Sequence, residues 1–276
     1  MLAFRLHHHL FSTVAFLLLL RHRSTGQPAP LAFTFQDTAL NLWSEFKLYG
    51  VVTALGDERI LSYDGTKQET WLLDTTRVAD TLQVGSWMWE QIAKTSLSVP
   101  GKRTHFAMAS LGGGKALLFG GRKQSTPTTV LSDTWMLDLS ASGGTWAQLG
   151  GVAPAGRYYH AMAMLGNNLS LLYGGAPESG PDLSDTWVFD LNQVGKHWTE
   201  VKAEELSVLP VLVLPAMAPL ENNCVLLLGS PVSIASINSR IFNNTNKKWT
   251  EVPGLPQYYP PMPTNGHLSL VAAGRG

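Results

Sequence analysis

The sequence predicts an all-β protein, built as a repeat of four-stranded sheets. Three observations carry that reading. A tryptophan-marked pattern recurs about every 50 residues: Leu131-Ser132-Asp133-Thr134-Trp135 then Trp146, and Leu183-Ser184-Asp185-Thr186-Trp187 then Trp198. Self-similarity at such a period marks units that pack on one another instead of forming separate cores. Each period holds four short runs of β-favouring residues bounded by turn signals. No apolar stripe of helical period reaches a useful length.

The two best copies define the unit. Arg103 aligns with Arg157, and Leu117-Leu118-Phe119-Gly120-Gly121 with Leu171-Leu172-Tyr173-Gly174-Gly175, at a constant offset of 54. From Leu131 onward the offset is 52, so the length difference lies between the Gly pair and the Leu-Ser-Asp run. Strands cannot absorb insertions without losing register, so 122–130 and 176–182 are predicted surface loops. The first two strands are predicted at 107–111 and 116–119, joined by Gly112-Gly113-Gly114, a hairpin signal. The third and fourth follow at 134–137 and 145–149. The Gly pair lets a neighbouring sheet approach closely. Each Trp is expected to fill space between sheets, with its N–H reaching a loop carbonyl.

Other copies are degenerate. One reads Ile60–Gly65, Thr70–Asp74 and Trp89–Ile92; another reads Val225–Ser230, Arg240–Phe242 and Trp249–Val252 and has lost the inner Trp and the second Gly. Trp43 precedes Trp89 by 46 and suggests a further closing strand, with Ala32–Phe35 before it. His267–Gly276 is similar to Leu169–Gly175. The expectation is a β-propeller of about five blades, closed by joining two terminal half-blades, or part of a six- or seven-bladed ring.

Taken together, the opening Arg, the Gly pairs, the Asp-x-Trp runs and the closing Trp resemble the kelch repeat family. The family's His three residues after the Arg is matched by His160, whereas Phe106 stands there in the preceding copy. Among kelch proteins the nearest resemblance is to extracellular ones of the attractin kind. The resemblance implies a kelch-type propeller that binds partners through loops on one rim.

Composition narrows the function classes. The 276 residues are 45% hydrophobic and 14% charged with a formal charge of zero, which indicates neither a nucleic-acid surface nor a basic membrane patch. Residues 1–26 read as a secretory signal peptide: a basic start, an apolar run over Leu10–Leu20, and small residues before a cleavage point after Gly26. A signal anchor is the alternative. The domain is then 27–276, and losing Arg5, Arg21 and Arg23 leaves 17 basic against 20 acidic residues. Asn168-Leu169-Ser170 and Asn243-Asn244-Thr245 are sequons at predicted turns, in keeping with a secreted or lumenal glycoprotein. Cys224 is the single cysteine, so no internal disulfide forms; its apolar neighbours predict a buried, inert thiol. The apolar stretch 206–228 is broken by Pro210, Pro215 and Pro219, which argues for strands over a membrane helix.

No catalytic constellation, cofactor motif or metal motif is visible, so the chain is expected to be a non-catalytic binding module with no cofactor. Asp133 and Asp185 are expected to hold turns by accepting backbone N–H groups. Candidate contact residues lie on two kinds of loop. Between the second and third strands stand Arg122, Lys123 and Glu178. Between blades stand Arg103, His105, Arg157, Tyr158 and Tyr159, then Tyr258 and Tyr259 among prolines. Tyr and Arg combine contact area with directional hydrogen bonds. Arg103 and Arg157 recur at equivalent positions, so tying their loops to the sheet is the competing role. The expected partner is a protein; a carbohydrate, on which the tyrosines would stack, is the alternative. The kelch resemblance also raises a copper-radical oxidase of galactose-oxidase type as a third reading, for which Cys224 would need histidines beside it.

Overall fold

The computed structural model describes residues 14–19, 51–55, 59–74, 89–94, 96, 98–123, 125, 127–140, 143–202, 210–231, 238–252 and 268–273. Every regular element among them is a strand. The chain order begins with β1 (Val14–Leu19). Blade one follows as β2 (Val51–Ala54), β3 (Arg59–Asp64), β4 (Glu69–Asp74) and β5 (Trp89–Ile92). Blade two starts with β6 (Ala107–Gly112) and β7 (Lys115–Phe119). A small ribbon, β8 (Arg122–Lys123) and β9 (Thr129–Val130), then precedes β10 (Thr134–Asp138) and β11 (Thr145–Leu149), which complete the blade. Blade three comprises β12 (Ala161–Gly166), β13 (Leu169–Gly175), β14 (Leu183–Asp190) and β15 (Trp198–Val201). Blade four comprises β16 (Leu212–Leu220), β17 (Cys224–Pro231), β18 (Asn238–Asn243) and β19 (Lys248–Glu251), and β20 (Leu268–Ala273) ends the order.

Each of these four sheets is antiparallel, with its strands in chain order from the axis outward. The innermost strands β6, β12 and β16 touch in succession, β2 lies beside β6, and β20 lies between β16 and β2. This is the ring of a β-propeller. β20 pairs in parallel with β1. Its place is thus that of an innermost strand, although its sequence is similar to a second strand. The expected strand at Ala32–Phe35 and the closing Trp43 lie outside the described residues.

Burial follows from position in the ring. An innermost strand faces a neighbouring blade on both sides, so β6 is buried along most of its length, whereas β11 buries only Trp146. Near the axis space is tight, and an Ala-Met-Ala triplet lies in three of the inner strands: 107–109 of β6, 161–163 of β12 and 216–218 of β16. Alternation sends Met108 to the junction of blades one and two, and Ala107 and Ala109 to that of two and three. Blade four's inner strand tolerates Pro215 because the register slips between Val213 and Ala216, where a bulge removes the need for its N–H. The described part of that stretch, 210–228, therefore carries strand hairpin, as expected; no helix among the described residues is long and apolar enough to cross a membrane.

The closing tryptophans bind blade to blade. Trp146 of β11 meets Tyr63 of blade one at 5.3 Å between ring centroids, Trp198 meets Phe119 of blade two at 5.2 Å, and Trp249 meets Tyr173 of blade three at 5.7 Å. Each indole N–H donates to a threonine hydroxyl of the preceding blade: Trp146 to Thr70 (2.9 Å), Trp198 to Thr134 (3.0 Å) and Trp249 to Thr186 (3.1 Å). The acceptors are thus side chains of the neighbouring sheet, in place of the loop carbonyls expected. A buried N–H needs an acceptor, and the strand that carries Thr134 or Thr186 is the surface the indole packs on.

Two further expectations are corrected. The predicted loop 122–130 contains the β8–β9 ribbon, whose strands pair Arg122 with Val130 and Lys123 with Thr129. Cys224 is half-exposed at the β16–β17 turn, its Sγ 3.6 Å from the Asn222 carbonyl, because it opens β17 at the surface instead of lying within it.

Candidate binding rim

Strand polarity sorts the connections onto two faces. Chain segments entering β6 and β12 and the loops after the Gly pairs share one face, called here the entry face. The β6–β7, β12–β13 and β14–β15 turns lie on the opposite one.

Arg103 and Arg157 enter at equivalent places, yet the structure removes both from any contact surface. Their side chains are about 1% exposed. Arg103 donates through Nη1 and Nη2 to the two carboxylate oxygens of Asp133 (2.7 Å each), to the Gly120 carbonyl (3.0 Å), and through Nε to Gly101 (2.9 Å). Arg157 repeats the pattern with Asp185 (2.6 and 2.9 Å), Gly174 and Ala155. The inner tryptophans join in, Trp135 Nε1 donating to Asp133 (2.6 Å) and Trp187 Nε1 to Asp185 (2.7 Å). Burial pushes each carboxyl's pKa up, but the bidentate Arg, its charge and the indole N–H outweigh it and hold the group below the usual carboxylate range. The two aspartates are structural, as expected, but their main donors are the arginine and tryptophan side chains.

The Gly pairs admit these cages. A Cβ on Gly120 would stand 2.7 Å from the Arg157 carbonyl of the next blade, and one on Gly121 would stand 2.7 Å from Thr104. His160, which faces Phe119 edge-on at 5.6 Å, is buried, and burial together with Arg157 lowers its pKa to about 3. It is a neutral core residue. Phe106 fills the same position in blade two.

The residues one place earlier are different. His105 and Tyr159 occupy equivalent positions, both with φ of 58°, in the left-handed region that side chains other than Gly rarely adopt. The Tyr159 amide donates to the His105 carbonyl (3.1 Å), so loops entering adjacent blades are tied together. Their rings meet edge to face at 4.4 Å, and Tyr158 lies 4.9 Å from Tyr159. Arg122, from β8, lies over Tyr158 with Cζ 5.1 Å from the ring centre. Its Nε donates to His105 Nδ1 (3.2 Å), which also lies 2.9 Å from the Thr104 hydroxyl. An arginine can only donate, so this Nδ1 carries no proton. The four side chains are all partly exposed.

The structure thus brings together His105, Arg122, Tyr158 and Tyr159. Lys123 is exposed on the ribbon beside them, and Glu178 is exposed in the loop after β13. Tyr258 and Tyr259 lie outside the described residues. Among the described residues no group of three or more His, Cys, Asp or Glu side chains could hold a metal ion. Sequence reasoning treated Thr104 as silent, although its backbone bridges to Arg122 in both directions (2.9 Å each) and aims the arginine. The matching bridge between Tyr158 and Ala176 could have revealed it, since both pairs sit at the same offset.

A family model described as the KLHDC2/KLHL20/DRC7 Kelch-repeats domain matches residues 47–229 and 89–275. Among curated proteins, the putative adagio-like protein 2 of Oryza sativa subsp. japonica is 31% identical over 146 residues, 52% of this chain and 22% of that protein. Adagio protein 3 of Arabidopsis thaliana is 29% identical over 169 residues, 58% of this chain and 26% of that protein. The chain therefore spans about a quarter of the length of these relatives. The solved structure of YjhT is similar in fold, with a TM-score of 0.54 and 14% identity over 76% of this chain and 66% of that one.

Proposed function

The chain belongs to the kelch-repeat family, and from that premise we propose that it is a non-catalytic module that recognises a protein partner through the entry-face rim. The kelch propeller fold is consistent with a protein-binding module. The observation that carries the reading is the partly exposed cluster of His105, Arg122, Tyr158 and Tyr159, held by two left-handed backbone positions. Backbone strain at side-chain-bearing residues persists where the surroundings hold it, and such positions gather at binding sites. The rings and the guanidinium are already packed on one another, so little side-chain freedom is lost on docking.

The proposal includes export. Residues 1–26 have the layout of a secretory signal, and β1 lies within them; cleavage after Gly26 would take that strand away from β20. N-terminal sequencing of protein recovered from medium tests this, and a chain starting at Met1 inside cells would reject it.

The binding reading is tested by affinity capture from extracellular fluid with the full chain and its Tyr159→Ala and Arg122→Ala variants. One protein retained by the parent and lost from both variants supports it. Saturable binding on a glycan array abolished by Tyr159→Ala would replace it with a carbohydrate reading, and stoichiometric copper in the purified chain would replace both.

A further inference from the structure

We propose that Asn168 and Asn243 are N-glycan acceptors whose glycans together cover the face of the propeller opposite the binding rim. The inference rests on the secretory reading above and adds a modification surface to it.

The two sequons are 75 residues apart in sequence, yet the fold sets them on one face of adjacent blades. Asn168 forms the β12–β13 turn with Asn167, both at positive φ (53° and 64°), as a two-residue hairpin turn requires. Its Nδ2 donates to Asn192 Oδ1 (3.1 Å) at the exposed surface. Asn243 ends β18, where its Oδ1 accepts the Thr245 amide (2.8 Å) and Thr245 is exposed. The turns abut. Asn223 Oδ1 lies 3.0 Å from where a Gly166 Cβ would stand, and the Asn244 amide donates to the Asn223 carbonyl (3.2 Å).

A second, independent observation points to a cover on this face. Val194, in the β14–β15 turn two residues from Asn192, is 96% exposed. It is a large apolar side chain with nothing from the described chain over it. A glycan leaving Asn168 beside Asn192 would lie across it, and none of the clustered rim residues is on this face.

The step itself is ordinary group transfer. The Asn Nδ2 forms a bond to the anomeric carbon of a polyprenyl-pyrophosphate-linked oligosaccharide. The bond from that carbon to the pyrophosphate oxygen breaks, the pyrophosphate leaves with the bonding pair, and the amide loses one proton.

The test expresses the full chain in secretory cells, once with its own N-terminus and once behind an added secretion signal. Recovered protein is digested with peptide:N-glycosidase in heavy-oxygen water and read by mass spectrometry. Isotope-tagged aspartate at both 168 and 243 is expected. Asn168→Gln and Asn243→Gln should each remove one glycan, and the double variant both, with melting temperature unchanged. Secreted protein from the added signal with neither site tagged, or only one, overturns the proposal while leaving the export reading intact. Both sites tagged behind the added signal, but no export from the chain's own N-terminus, overturns it through its premise.

Discussion

Blades two and three share a buried Arg–Asp–Trp cage, whereas blade four solves the same packing problem without it. In blade three Arg157 is clamped by Asp185, and Trp187 completes the carboxylate's shell. In blade four no arginine enters the inner strand. The Leu212 side chain lies 2.9 Å from where a Cβ on Gly229 would stand, and Arg240 Nε donates to Asn238 (3.1 Å) at the place of the Trp–Asp pair. Blade one, with Glu69 and Trp71, keeps the indole-to-carboxylate bond at 3.3 Å. The set changes together. A buried charge pair can be replaced whole at little cost, while removing one member strands the other in a low-dielectric interior.

The largest expected effect breaks that comparison directly. Asp133→Ala or Asp185→Ala leaves a fully buried guanidinium without its carboxylate and should destabilise by about 3–5 kcal/mol in equilibrium denaturation. Arg157→Leu combined with Asp185→Asn, the blade-four solution, should cost clearly less than Asp185→Ala alone. The same loss from both would mean the cage is not the unit of stability.

Closing tryptophans come next. Trp198 is buried between blades two and three, and Trp198→Ala should cost about 3–5 kcal/mol. Trp249, half-exposed at the blade three to four junction, should cost about half as much. Equal losses would erase the contrast between the two junctions.

A third prediction separates Phe106 from His160, the residues that differ at one position of blades two and three. His160 has a pKa of about 3 in the folded protein against an ordinary 6.5, so the unfolded chain binds the extra proton between those values. Stability therefore falls as pH drops below about 6.5, by about 1.4 kcal/mol per unit from this group. Asp133 and Asp185, with lowered values, add stability that is present above the carboxylate range and lost as pH falls through their depressed pKa values. His160→Phe should flatten the profile between pH 6.5 and 5 and leave the acid limb in place; an unchanged slope there rules out the buried-neutral assignment.

The smallest effect concerns one acceptor. Thr134→Val strands the Trp198 N–H and should cost about 1–2 kcal/mol, whereas Thr186→Val beside the more exposed Trp249 should cost less, since water can reach that indole.

Much of this was legible in the residues. The runs 89–92 and 145–149 are strands with the expected ends, the second bounded by Gly144 and Gly150. The recurrence of Arg103 and Asp133 at Arg157 and Asp185 held the cage in plain view. Here both recurring opposite charges point inward, where each guanidinium meets its own carboxylate. The Ala-Met-Ala triplet was equally visible as the mark of a strand crowded at an axis. The β8–β9 ribbon was not legible, since two-residue strands leave no periodicity to read.

By itself the chain determined a repeated antiparallel sheet, because alternation, Gly pairs and evenly spaced indoles are local properties repeated along it. Which recurring cations are sealed inside and which lie at the surface was decided only by tertiary structure. The cage closes when a carboxylate 28 or 30 residues away meets the guanidinium. The rim forms when loops entering two different blades are joined through the His105 carbonyl and the Tyr159 amide. Contacts across such distances depend on how the strands of a blade, and adjacent blades, pack, and the recurrence of the residues alone does not say which side they face.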